Sequence, residues 1–217
     1  PADAISVASW TMDFGALYDW AIETMDQLSP GSSGFVNMMI LGQSSQYEVD
    51  IINSILRNIA GEHLIVERPL DPEIERQMED FGGGFMMNSM PTYYFGLKNG
   101  EQTLTAVRTL LTNMQKDPQI ADGIEVTDEE GVLTVKSVSD SPQETPFAFG
   151  AAINKDAISF TMNALELQQA IRALKGKVPE KITGESEFKT VANTIDKDGL
   201  KYLAFDSSEG SAEYLVL

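Results

Sequence analysis

The stretch Ile124-Glu125-Val126-Thr127-Asp128-Glu129-Glu130-Gly131-Val132-Leu133-Thr134-Val135-Lys136-Ser137-Val138 decides the fold. Two runs rich in β-branched residues flank an acidic turn that ends in glycine, the pattern of a β-hairpin. A second hairpin follows, with residues 147–153 and 157–162 on either side of Asn154-Lys155-Asp156. The four strands are expected to share one antiparallel sheet.

Working outward toward the N-terminus, residues 92–98 read as a strand after Pro91 and end at the turn Asn99-Gly100. The next segment carries Leu104, Val107, Leu111 and Met114 on one helical face. Residues 4–10 alternate Ile5 and Val7 with small polar residues, so a strand is expected there. Asp13 is placed as N-cap of a helix whose apolar positions are Phe14, Leu17, Tyr18, Ala21, Ile22, Met25 and Leu28. Residues 29–34 end that helix, and the apolar run 35–41 is too short to assign to strand or helix. A helix is expected over 46–60 with Gly61 as its stop, followed by a short strand at 64–66 and a helix opened by Asp71 and Pro72.

Toward the C-terminus, Asn163 with Glu166 three residues later resembles a capping box, opening a helix that buries Leu167, Ile171 and Leu174. Lys175 and Lys177 suit its C-terminal end. A short helix at 186–193 and a strand at 200–205 complete the order. The sequence predicts an α+β fold, a mainly antiparallel sheet with several amphipathic helices packed on one face. Residues 1–217 are expected to form a single domain, with a subdomain boundary near 82–91 as the alternative. Leu17, Ile22, Met25, Ile55, Leu111, Phe149 and Ile171 are expected in the core. The closing strand, running toward Asp206, loosely echoes the opening one.

Composition narrows the functions. Among 217 residues there is no cysteine and one histidine, which removes disulfides, thiolate nucleophiles, cysteine zinc sites and any two-histidine metal site. With 33 acidic against 15 basic residues the net charge is −18, and every third of the chain is acidic. No basic face for nucleic acid is expected. No apolar run reaches the roughly 18 residues of a membrane span, and no export signal is visible.

Local motifs carry little chemistry. His63 lies between Glu62 and Leu64 on an expected strand, where neighbouring side chains point to opposite faces, so a structural histidine is expected rather than an acid or base. Gly82-Gly83-Gly84 lacks the lysine of a phosphate loop and reads as a connector. Asp196-Lys197-Asp198-Gly199 fails the register of a calcium loop and reads as a turn. Asp128-Glu129-Glu130 reads as a solvated hairpin tip. Met86, Met87 and Met90 offer thioethers that copper(I) accepts, but methionine more often fills irregular gaps or lines adaptable apolar surfaces. Met86, Met87, Met90, Tyr93 and Phe95 are therefore the candidate contacts for a partner or ligand, with no cofactor expected.

The opening residues 1–5 with Asp13-Phe14 and Leu17-Tyr18, the passage 56–66, the passage 147–174 and the later Glu187-Phe188-Lys189 together resemble an uncharacterised family of exported bacterial proteins, of the planctomycete type. That resemblance implies an envelope-associated domain; the missing signal and initiator methionine fit a mature or trimmed chain. The expected function is non-enzymatic assembly or partner binding, with another envelope protein as partner. The alternative is a carrier holding a lipid or other apolar small molecule in a pocket lined by methionines and aromatics.

Overall fold

A computed structural model describes residues 6–69, 89–138, 149–177, 202–206 and 213–216. Strand β1 (Ser6–Asp13) leads into helices α1 (Phe14–Leu28) and α2 (Ser32–Gln46), the short helix α3 (Ile51–Ser54) and a single 3-10 turn, Leu56–Asn58. Strands β2 (Ile59–Pro69) and β3 (Ser89–Leu97) follow, then helices α4 (Gly100–Met114) and α5 (Pro118–Ala121). Two hairpins, β4 (Ile124–Glu129) with β5 (Val132–Ser137) and β6 (Gly150–Ile153) with β7 (Ala157–Thr161), precede α6 (Ala164–Leu174), β8 (Tyr202–Asp206) and β9 (Glu213–Val216). The described strands form one nine-stranded sheet in the order β4-β5-β6-β7-β3-β2-β1-β8-β9. Every neighbouring pair is antiparallel, so the α+β class and the antiparallel sheet stand as expected.

Both hairpins form where the turn chemistry placed them. Glu130 and Gly131 take positive φ, 52° and 78°, the backbone that a tight hairpin turn requires. Asp128 pairs with Arg108 at 2.7 Å, and Glu130 meets Lys177 at 2.5 Å and Lys175 at 3.5 Å. The acidic tip is thus exposed but fastened to α4 and to the C-terminal end of α6. The echo between the two outer segments has a physical partner: β1 and β8 lie side by side, with Ser6 opposite Asp206 and Trp10 opposite Tyr202.

The helices divide between the two faces of the sheet, which corrects the one-face expectation. Leu104, Val107 and Leu111 of α4 pack on Leu133, Val135 and Ile153. Leu167 of α6 packs on Val132 and Ala152, with Ile171 and Leu174 beside it. Adjacent strand residues point to opposite sides, so Val132 and Leu133 need separate cover. Strands β5 and β6 together carry apolar residues on both faces, Val132 and Ala152 on one and Leu133, Val135 and Ile153 on the other, and each set is covered by a helix.

The helix expected over 46–60 is broken into short pieces: a turn after α2, then α3 and the 3-10 turn, with strand only from Ile59. Helix α3 is capped by Asp50, whose carboxylate accepts from the Asn53 N–H at 3.0 Å, and ends after one turn. From Ile59 the chain joins the sheet between β1 and β3, where pairing on both sides outweighs the helical spacing of the isoleucines. Gly61 is not a helix stop. It takes φ +98° at the irregularity where the β2–β3 register shifts. The untyped run 35–41 is the middle of α2.

Of the seven residues expected in the core, Leu111 is buried, while Ile22, Met25, Ile55 and Ile171 are half-buried. Leu17 and Phe149 are exposed, each at 42%. Helix α1 packs on α2, the 3-10 turn and β2, contacts that leave Leu17 open to solvent. The helices expected at 71–81 and 186–193, the triple glycine and the Asp196 turn lie outside the described residues.

Candidate interaction surface

The sequence candidates on β3 belong to a row of aromatic rings across the sheet. Trp10, Phe14 and Phe95 surround His63 with ring centroids 5.4 to 5.7 Å away. Phe95 stacks near Tyr93 at 6.3 Å, Tyr93 meets Phe160 at 6.5 Å, and Phe160 meets Phe149 at 4.7 Å. Tyr93 and Phe95 are half-buried within this row, so they pack strand against strand and helix. Met86 and Met87 lie outside the described residues. The Met90 backbone pairs with Arg68, but its side chain is outside the described set.

His63 is 0% exposed. Its Nδ1 accepts from the Gly96 N–H at 3.2 Å, so that nitrogen carries a lone pair, and Nε2 donates to the Met12 carbonyl at 3.0 Å. Both ring nitrogens are used by backbone groups, which holds β1, β2 and β3 in register and matches the structural reading. Gly96 fits because a Cβ there would come within 2.6 Å of the Glu62 carbonyl oxygen.

Glu166 does not close a capping box. Asn163 caps α6 alone, accepting from the Leu165 N–H at 2.7 Å. The buried Glu166 carboxylate instead pairs with buried Arg68 of β2 and accepts from the Thr92 hydroxyl at 3.1 Å. Tyr94 stands beside them; burial pushes its hydroxyl pKa up, and the Arg68 charge and hydrogen bond oppose this. The cluster ties α6 to the middle of the sheet, where its polar groups satisfy one another.

A surface of a different kind is built by α1 and α2. The side of α2 that faces the protein carries Ser33, Val36, Asn37, Ile40 and Ser44, at helical spacing. Three of these make polar contacts: Ser33 Oγ donates to Asp26 at 2.5 Å, Asn37 accepts from the Tyr18 hydroxyl, and Ser44 Oγ accepts from the Ile51 N–H at 3.3 Å. The outward side carries Phe35, Met38, Met39 and Leu41, exposed by 58 to 70%. Toward the body the helix turns three polar side chains beside Val36 and Ile40, and toward water it leaves four large apolar ones uncovered. No Asp, Glu, Lys or Arg falls within it. Helix α1 adds Trp20 at 63% and Leu28 at 83% exposure.

Charge frames this surface. No lysine, arginine or histidine precedes Arg57, while Asp3, Asp13, Asp19, Glu23, Asp26, Glu48 and Asp50 all do. Asp19 is neutralised by Arg57 at 2.5 Å and Asp13 lies 3.5 Å from Lys98. The Ser33 hydroxyl, with the Ser33 and Gly31 N–H groups, holds the Asp26 carboxyl below the usual range. At the other end of α2, a cleft of about 450 Å³ opens between residues 48–54 and α4, and Glu48, Asp50 and Glu101 line it with Ser54, Gln102 and Thr105.

Among the described residues no three potential metal ligands converge, and no helix is long and apolar enough to cross a membrane. Comparison with family models, characterised proteins and solved structures finds no match to this chain. The outward stripe of α2 was missed in the sequence because a short apolar run suggests core. The signal that finds it is the polar series Ser33, Asn37, Ser44 at positions i, i+4 and i+11, which marks the inner side.

Proposed function

We propose that this chain is a non-enzymatic domain for assembly or partner binding, and that it docks a protein partner through the outward side of α2. The observation that supports this is the outward side of α2, where four large apolar side chains stand in water while Ser33, Asn37 and Ser44 on the inner side are engaged with the body. Contiguous exposed apolar surface of this kind marks interaction sites, and methionine adapts its shape to a partner. Burying each of Phe35, Met38, Met39 and Leu41 gains roughly 1.5 to 3 kcal/mol before the costs of association. An exported, envelope-associated setting is part of the proposal and rests on the family resemblance. The non-enzymatic reading draws on His63 and the Arg68–Glu166 cluster, whose polar groups are occupied by structural contacts.

The test is site-specific photocrosslinking in the native cell, with a benzophenone amino acid at Met38 or, as control, at exposed Thr127 on β4. A discrete adduct with one protein from Met38 alone, lost when Phe35 and Met39 become serine, is the expected result. Identical adduct patterns from both positions would remove α2 as the docking side.

A further inference from the structure

The charge arrangement around α2 narrows the partner, given the docking role just proposed. The outward stripe is uncharged along the whole 15-residue helix, about 22 Å long. Carboxylates stand at both of its ends. At the N-terminal end Asp26 accepts hydrogen bonds from Ser33 and Gly31, and Glu23 lies one turn before it on α1. At the C-terminal end Glu48 and Asp50 follow the helix and open onto the cleft with Glu101. None of these five carboxylates has a lysine or arginine partner within 4.0 Å among the described residues, unlike Asp13 and Asp19.

We infer that the occupant of α2 is an amphipathic protein segment of about four turns, with apolar anchors along its middle and lysine or arginine at both ends. The apolar anchors lie over Phe35, Met38, Met39 and Leu41, and one cationic side chain enters the Glu48–Asp50–Glu101 cleft. Two other occupants of an apolar helix face are disfavoured by the same charges. A second copy would bring carboxylates against carboxylates, and an anionic membrane would be repelled by a segment with no cation before Arg57.

The experiment uses the full chain and synthetic helical peptides of the same length as α2. One has a leucine face and a lysine face; the second replaces every lysine by glutamine; the third keeps the lysines and replaces the leucines by glycine and serine. Hydrogen exchange over 32–46 locates binding, and titration at rising salt measures its charge dependence. The leucine/lysine peptide is expected to protect α2, with affinity falling as salt rises, and the other two to bind at least about tenfold more weakly. The variant Phe35→Ser/Met38→Ser/Met39→Ser, whose changes are all at exposed positions, should lose about tenfold or more in affinity while keeping its circular dichroism. The variant Glu48→Gln/Asp50→Asn should flatten the salt dependence.

If the leucine/glutamine peptide protects α2 as well as the leucine/lysine peptide does, the cationic partner is wrong and the docking surface stands. If no peptide protects α2, the docking surface falls too. Protection of α2 by neutral phosphatidylcholine vesicles, or by a concentration-dependent dimer, would give the stripe to a membrane or a second copy and overturn the inference.

Discussion

At the scale of single residues, burial decides which polar groups matter. His63 is held by two backbone groups, so its tautomer is determined: the proton is on Nε2. A long-range ¹⁵N correlation spectrum should show a protonated Nε2 and an unprotonated Nδ1, and the reverse pattern would mean that the Gly96 contact is not made in solution. Arg68 and Glu166 behave as a unit because each is buried and charged. Arg68→Ala leaves the carboxylate buried without its cation and should cost about 3 to 5 kcal/mol in urea unfolding. A loss under about 1 kcal/mol would mean that water reaches the pair. The sequence offered only half of this. Its residue types were visible, but Arg68 and Glu166 are 98 positions apart, and nothing local told Glu166 to leave its own cap.

At the scale of elements, caps and close contacts separate what can change from what cannot. Asp13 caps α1, accepting from the Ala16 N–H at 3.0 Å, and this bond is the main reason its carboxyl sits below the usual range, helped by Lys98. A lowered folded pKa means a contribution present above the unfolded value and lost as pH falls through the folded one. In acid titrations followed by circular dichroism, Asp13→Asn, which keeps a capping oxygen but not the charge, should lose that contribution near neutral pH, and its difference from the parent protein should disappear in acid. Gly100 opens α4 against the β6–β7 turn, where an added Cβ would stand 1.6 Å from the Lys155 carbonyl oxygen. Gly100→Ala should therefore cost at least about 3 kcal/mol, since backbone must move to admit it. Leu111→Ala, in the α4 core, should cost about 2 to 5 kcal/mol, and Ile22→Ala, on half-buried α1, about 1 kcal/mol, both measured by thermal unfolding. Equal losses at the two sites would place α1 deeper than its exposure indicates.

At the scale of the whole molecule, the net charge of −18 acts on every part at once. Self-repulsion is screened by salt, so the melting temperature should rise between about 10 and 500 mM sodium chloride, where the Debye length falls from roughly 30 to a few ångströms. A falling melting temperature would show that attractive pairs such as Lys177–Glu130 outweigh the repulsion. The sequence by itself determined the antiparallel hairpins, α1, α4 and α6, because period, caps and turn residues act within a few positions of one another. It also determined the exclusions that follow from having no cysteine and one histidine. Only the tertiary structure decided that the strand expected at 64–66 runs over 59–69, since its two neighbours, β1 and β3, supply the hydrogen bonds that a local helix would otherwise provide at its start. It alone decided that the helices cover both faces, because β5 and β6 place Val132 and Ala152 on one side and Leu133, Val135 and Ile153 on the other, and a neighbouring strand cannot cover a face. The same holds for α2, whose orientation is set by the contacts of Ser33, Asn37 and Ser44 with Asp26, Tyr18 and the Ile51 N–H, which leave part of the apolar run in water. Where apolar residues lie all round a helix, as in α2, periodicity chooses no side, and only packing settles which of them meet the core and which the solvent.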